Sequence, residues 1–381
     1  MSPRRSVVVL AASVLMALVG LAVFSLSGWR GGPGSCSTFM LAADKVLLVG
    51  HNLDESFEVP GQVVVNKRGV EKQNVSWEDL KIGGKGSVPR LRWVSKYGSI
   101  TTNTVGREFV DGGLNEAGLY IGEMTLLGSA YPTDKKLPAF YHHMWMQYLL
   151  DSFDGVPQVL DSLTGARVDG HCQWHFFVAD RQGRAAVIEF IDGRAVVHTD
   201  ANLPIPVLGN LAYDNEMKAL TEFEGFGGAK KVDFADRENG RRFVWGAKML
   251  RDFGARAPAE AVPYAFSILA QLDKGATKWS LVFDILAGRV SWRTNQARDI
   301  RFVDLASFDL SCGTPALVLD IHGNASGDVA NRFAPYSDTE NAAAVKAALK
   351  PWPMGAMGNT FLKPRMVERM SRVPAKFACA P

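Results

Sequence analysis

The residues best placed to do chemistry lie in "GSCSTFMLAADKVLLVGHNLDE" (34–55), where Cys36 is followed 18 residues later by Asp54. A cysteine that begins a chain carries its own base. Its α-amine has a pKa of about 7.7–8, close to the thiol's value of about 8.5. The amine can take the thiol proton, the thiolate can attack a carbonyl, and the resulting ammonium can protonate the departing nitrogen. Such a site also needs an acceptor to orient the amine, donors for the oxyanion and a charge to shape the field. Asp54 suits the first task, because a hairpin returns the end of its second strand to the start of its first. Two other readings of Cys36 are a lipid attachment point and half of a disulfide. A lipid site wants Leu three places earlier and Ala or Gly just before; Pro33 and Ser35 stand there.

The cysteine can act this way only if everything before it is removed. Arg4 and Arg5 precede a charge-free stretch, 6–27, the order of an export signal. Residues 1–35 are therefore expected to be leader and propeptide. A cut is expected after Ser25-Leu26-Ser27, followed by trimming of 28–35. The apolar run is also long enough to span a bilayer, so an uncut membrane anchor is the alternative. The leader holds three arginines and no acid, so the net charge of +3 falls to zero from Cys36 onward. A balanced chain has no footprint for nucleic acid. Residues 36–381 suit a single domain in a periplasmic or extracellular setting. Disulfides are permitted there, and Cys312 with Cys379 is the expected pair, leaving Cys172 as a buried thiol.

The elements must bring these groups together. "STFMLAA" and "KVLLVGHNL" read as a hairpin about Asp44-Lys45, with Cys36 opening an edge strand. Further strands are expected in "GQVVVNKRGV", "RLRWVSKYGSITTNTVG" and "GLYIGEMTLLG", with "DGGLNEAG" as a turn between strands. Helical spacing covers 139–150 and 156–163. Three strands follow in "CQWHFFVADRQGRAAVIEFIDGRAVVHT", then a loop at "LPIPVLGNLAYDN" and helices near 241–253 and 259–272. The hairpin "WSLVFDILAGRVSWRT" returns to sheet, and Ser337 with Glu340 opens a helix over 339–349. The pattern is α+β, with two sheets covered by helices in four layers.

"CSTF" with "GHNLDE", "VVVNKRGV", "WVSKYGSITTNTVGREF", "DGGLNEAGLYIGEM", "LPIPVLGNLAYDN" and "GRRFVWGAKML" resembles the choloylglycine hydrolase and penicillin V acylase group. These are linear amide C-N hydrolases of the N-terminal nucleophile class. The resemblance implies an αββα sandwich whose mature chain begins at Cys36. By position Cys36 resembles the nucleophile and Asp54 the carboxylate at its amine. Asn210 resembles the oxyanion asparagine, and Arg242 the arginine bordering the site. Two positions depart from the pattern. His51 replaces the arginine of G-R-N-x-D, removing a fixed positive charge that a His could partly replace. Thr125 stands where many members have an asparagine, and it is a weaker oxyanion donor.

His142-His143, and His171 with His175, are read as structural or surface residues, and no metal or cofactor is expected. Adjacent histidines on a helix point apart, and no acidic partner shares a known spacing. The expected function is amide hydrolysis of an N-acylated small molecule through a thioester on Cys36. The family suggests penicillin V, N-acyl homoserine lactones, N-acyl amino acids or bile-salt-like conjugates. An acyltransferase would use the same residues with an amine in place of water. A non-catalytic exported binding protein of the same fold is the competing class, motivated by His51 and Thr125. A homo-oligomer is left open, and contact with membrane is expected only if the leader stays uncut.

Overall fold

The computed structural model describes residues 36–381 apart from 87–88, 239, 255–256 and 352–362. The expected leader and its cut therefore lie outside the described residues. At the centre is the hairpin Ser37–Ala43 and Val46–Asp54, paired antiparallel in the register Ser37 with Asn52. All nine residues of Val46–Asp54 are buried. A strand with no polar face to offer water must be covered on both sides.

One cover is a second sheet. The hairpin belongs to a seven-stranded sheet that continues through Thr277–Asp284, Arg289–Thr294, Arg301–Asp304 and Gly327–Asp328. Facing it is a nine-stranded sheet whose middle is Trp174–Ala179, Tyr120–Thr125, Gly112–Asn115, Ser99–Asn103 and Gln62–Asn66. Val49, Leu281 and Phe283 lie on the face turned toward Val63, Val65 and Phe177, and the Phe283 ring packs 4.8 Å from that of Tyr120 on the facing sheet. The other cover is the helix pair Arg242–Phe253 and Ala261–Leu272, whose Val244, Ile268 and Leu269 join the same core. The Asn52 amide also donates to the Leu269 carbonyl at 2.8 Å, pinning the hairpin to the second helix.

Strand alternation builds the fourth layer. Along Trp174–Ala179, Phe177 and Ala179 face the inter-sheet core, whereas Phe176 and Val178 face outward. The outward set packs on Trp145, Leu149 and Leu150 of the helix His142–Ser152 and on Val159 of the helix Val156–Ser162. This is the two-residue period of a strand buried on both faces. The order helix, sheet, sheet, helix is the expected α+β sandwich.

Several local expectations are corrected. The helix expected from 139 begins at His142, because Ala139–Tyr141 is a strand paired in parallel with Arg167–Asp169. Gly112–Asn115, expected as a turn, is a buried strand. Its Gly113 has no room for a side chain, since a Cβ there would lie 2.7 Å from Thr101 Cγ2. The first strand is not an edge, because Val207–Leu208 pairs with Thr38 and Phe39 on its far side. The loop expected around 203–215 thus contains a short strand, and it leads into the helix Tyr213–Leu220. A helix at Lys363–Ser371 was not anticipated by the periodicity. Cys312 and Cys379 form the expected disulfide, with Cα atoms 5.7 Å apart. Cys172 is half-buried rather than buried.

The hairpin's own packing is testable. A Cβ at Gly50 would fall 2.3 Å from Cζ of Phe39, which is fully buried. Gly50→Ala should cost about 1–3 kcal/mol by overpacking. Adding Phe39→Leu should return part of it. An unchanged urea midpoint for Gly50→Ala would remove this packing argument.

Candidate active site

Strand register assembles the site. Thr38 pairs with Leu208, so the chain leaving that short strand carries Asn210 toward the Cys36 end of the hairpin. On the other side Ser37 pairs with Asn52, so the end of Val46–Asp54 arrives beside the same cysteine. The Asp54 backbone N–H bonds to the Cys36 sulfur. Five of the six sequence-predicted residues, all but His51, are joined by hydrogen bonds to one another. Arg242 donates from Nη1 to Asp54 Oδ2 at 2.8 Å and from Nη2 to Asn210 Oδ1 at 3.2 Å. Asn210 Nδ2 donates to the Thr125 carbonyl at 2.9 Å. Arg242 can reach both because it opens the helix Arg242–Phe253 that covers this end of the sheet.

The electrostatics follow from burial. Cys36 is buried and free, and its thiol is pushed well above the ordinary value by loss of solvent, then by the charges of Glu123 and Asp54; the Asp54 N–H opposes this. Burial raises the Asp54 carboxyl to about 6, against the pull of Arg242 and a 2.6 Å hydrogen bond from the Thr277 hydroxyl. Burial likewise raises Glu55 to about 7. His51 lies deeper, with Nδ1 2.7 Å from the Thr38 hydroxyl, and burial lowers it to about 4. It is therefore neutral at neutral pH and supplies no positive charge to the site. Thr125 presents its carbonyl to Asn210.

Two residues escaped the sequence reading. Glu123, on the strand Tyr120–Thr125, is buried with Oε2 unpartnered among the described residues. Burial raises its carboxyl well above the usual range, and the charges of Asp111 and Glu55 add to that. Glu189 clamps the Asn210 turn from both ends. His175 sits with Nδ1 3.1 Å from Glu189 Oε1 and Nε2 3.0 Å from the Gly209 carbonyl. Glu189 Oε1 also accepts the Tyr213 N–H at 2.9 Å, and Oε2 lies 3.3 Å from His198 Nε2. Burial works to raise Glu189, but the His175 and His198 contacts and the Tyr213 N–H outweigh it and hold the carboxyl at about 2. No spacing rule finds this clamp, since its members lie on separate strands and look like core positions. Only a buried Glu in the apolar run "AAVIEFI" hints at it.

Residues 36–313 match the family of linear amide C-N hydrolases, choloylglycine hydrolase family, and the match starts at Cys36. A penicillin V acylase of Pectobacterium atrosepticum is 25% identical over 309 residues, covering 69% of this chain and 82% of that one. The structure of penicillin V acylase from Agrobacterium tumefaciens superposes with a TM-score of 0.69 at 22% identity, over 79% of this chain and 98% of the other. A variant of the conjugated bile acid hydrolase from Clostridium perfringens gives 0.60 at 16% identity, over 77% and 99%. With the αββα sandwich already in place, the chain belongs to the choloylglycine hydrolase family of linear amide C-N hydrolases.

Proposed function

We propose that the mature protein begins at Cys36, is exported, and hydrolyses an N-acylated small molecule through a thioester on that cysteine. The observation that carries this reading is the Arg242 fork, which ties Asp54 to Asn210 at the end of the strands flanking Cys36. The desolvated thiol holds its proton at rest, so attack needs a base within reach. The α-amine of a chain starting at Cys36 is that base. It takes the Sγ proton as the sulfur–carbon bond forms, and Asp54 holds the resulting ammonium. Asn210, fixed by the Glu189 clamp, faces the developing oxyanion. Collapse breaks the carbon–nitrogen bond while the ammonium protonates the leaving amine. Water, deprotonated by the same amine, then attacks the thioester, releasing the acid and restoring the thiol.

Leu127 and Leu211 support an apolar acyl group. Both are large exposed hydrophobics, each within two residues of Thr125 or Asn210. Exposed leucines next to the site residues suit an aryl or alkyl chain, as in a phenoxyacetyl or fatty acyl amide.

Three outcomes are expected. Protein recovered from an exporting host should have Cys36 as its first residue, and Cys36→Ser should form no thioester with an activated acyl substrate; a fully active chain starting upstream of Cys36 would sink the mechanism. Arg242→Lys removes one arm of the fork, and a misplacement of about 1 Å costs about 10²-fold. It should therefore lower kcat/KM by about that factor with little change in Tm, and equal losses in activity and stability would make the arginine structural. Asp54, raised to about 6, must be ionised to hold the ammonium. Activity should accordingly fall as pH drops through about 6 and below, following one proton. A profile flat down to about pH 4 would take the Asp54 carboxylate out of the mechanism.

A further inference from the structure

His142, His171 and Cys172 have no part in the amide chemistry above, yet the fold brings His142 to the neighbours His171 and Cys172, about 30 residues on. We propose that they form a binding site for a transition-metal ion of the zinc class. One ligand atom from each lies within 4.8 Å of the other two. His142 is fully buried, and neither its Nδ1 nor its Nε2 has a hydrogen-bond partner among the described residues. A buried imidazole with both nitrogens unmet is costly unless something fills that role.

The ring is held where it is. Trp174 and Tyr141 lie against it, with centroids 4.1 and 4.2 Å away. The chain entering the His171-Cys172 turn also lies against it at Gly170, φ +153, where a Cβ would come 2.0 Å from His142 Cδ2. Only glycine lets that turn close onto the imidazole, so the turn is shaped to His142.

The donor set selects the ion. Two imidazoles and a thiolate favour zinc-like metals over magnesium or calcium, which take oxygen ligands. Zinc bonds of about 2.0–2.3 Å place tetrahedral ligands roughly 3.3–3.8 Å apart, a small rotation of side chains away. Binding is a proton exchange. Cys172 Sγ–H gives its proton to solvent as the sulfur–metal bond forms, and no electron moves. Three protein ligands leave a fourth position for water or a ligand donor. The ion would join the first turn of His142–Ser152 to the turn before Trp174–Ala179. Trp174 pairs directly with Thr125, so the metal would brace the strand end that carries Asn210's partner.

The test is titration of the mature, metal-stripped protein with Co2+, read by absorption, alongside Zn2+ with Tm as a second signal. Free Cys36 with its amine is itself a chelator, so the titration is repeated in Cys36→Ser. Expected are one Co2+ per chain, a thiolate-to-cobalt band in the near ultraviolet that persists in Cys36→Ser, and its loss in Cys172→Ser. His171→Ala, at an exposed position that should fold normally, should weaken binding by more than the roughly 10–100-fold that losing an outer partner costs. Zn2+ should raise Tm in the parent and not in Cys172→Ser. No band, a band that survives Cys172→Ser, or one that vanishes with Cys36→Ser would overturn the site.

Discussion

Arg242 is the contact on which the site's arrangement depends. Asp54 is buried at the end of a strand with no exposed residue, and burial alone would leave it protonated. The guanidinium 2.8 Å away opposes that, and its second arm holds Asn210. An isolated buried carboxylate would cost several kcal/mol, whereas a forked, charge-assisted pair recovers much of it. One side chain thereby sets both the ionisation of the carboxylate and the aim of the amide. The strands contribute by delivering Asp54, Asn210 and Cys36 to the same end of one sheet.

The scaffold is built to keep that end rigid. The hairpin is packed from both faces, tied by Asn52 to the helix Ala261–Leu272, and crowded at Gly50 to the point where one methyl group does not fit. Across the interface, Glu189 fixes the residues before and after Asn210 through His175 and the Tyr213 N–H. A loop residue would ordinarily be the mobile member of such a set. Here Gly209, just before it, and Tyr213, three residues on, are anchored through Glu189 to the nine-stranded sheet, which gives the loop the precision of the sheet.

What was legible in the sequence divides along physical lines. Cys36 and Asp54 could be paired from spacing because a tight hairpin is a local structure. The three strands from Trp174 to Thr199 were readable because turn residues separate them cleanly. Ala139–Tyr141 was misread as helix, since three apolar residues carry no period and its partner strand, Arg167–Asp169, lies far along the chain. The edge position of the first strand failed for a similar reason: two residues, Val207 and Leu208, cover it, and no pattern announces a two-residue strand. Asn210 and Arg242 entered only through resemblance to a family. Glu123 and Glu189 were invisible, because a lone acid in an apolar strand shows its role only when its neighbours on other strands are known.

The charges around Cys36 pose a last question, which is how a thiol with so high a pKa can act. Glu123, Asp54 and Glu55 each disfavour the thiolate, and His51, neutral through burial, offers no relief. The same negative field favours an ammonium by a comparable amount. Moving the thiol proton to the α-amine of the same residue creates both charges together, so the field's penalty on sulfur is offset by its gain on nitrogen. An internal cysteine has only the penalty, because its nitrogen is an amide that takes no proton. On the proposed mechanism, the acid-lined surroundings that would silence a cysteine within a chain are therefore suited to one at the start of a chain, and the switch between inert and reactive protein lies at the peptide bond before Cys36.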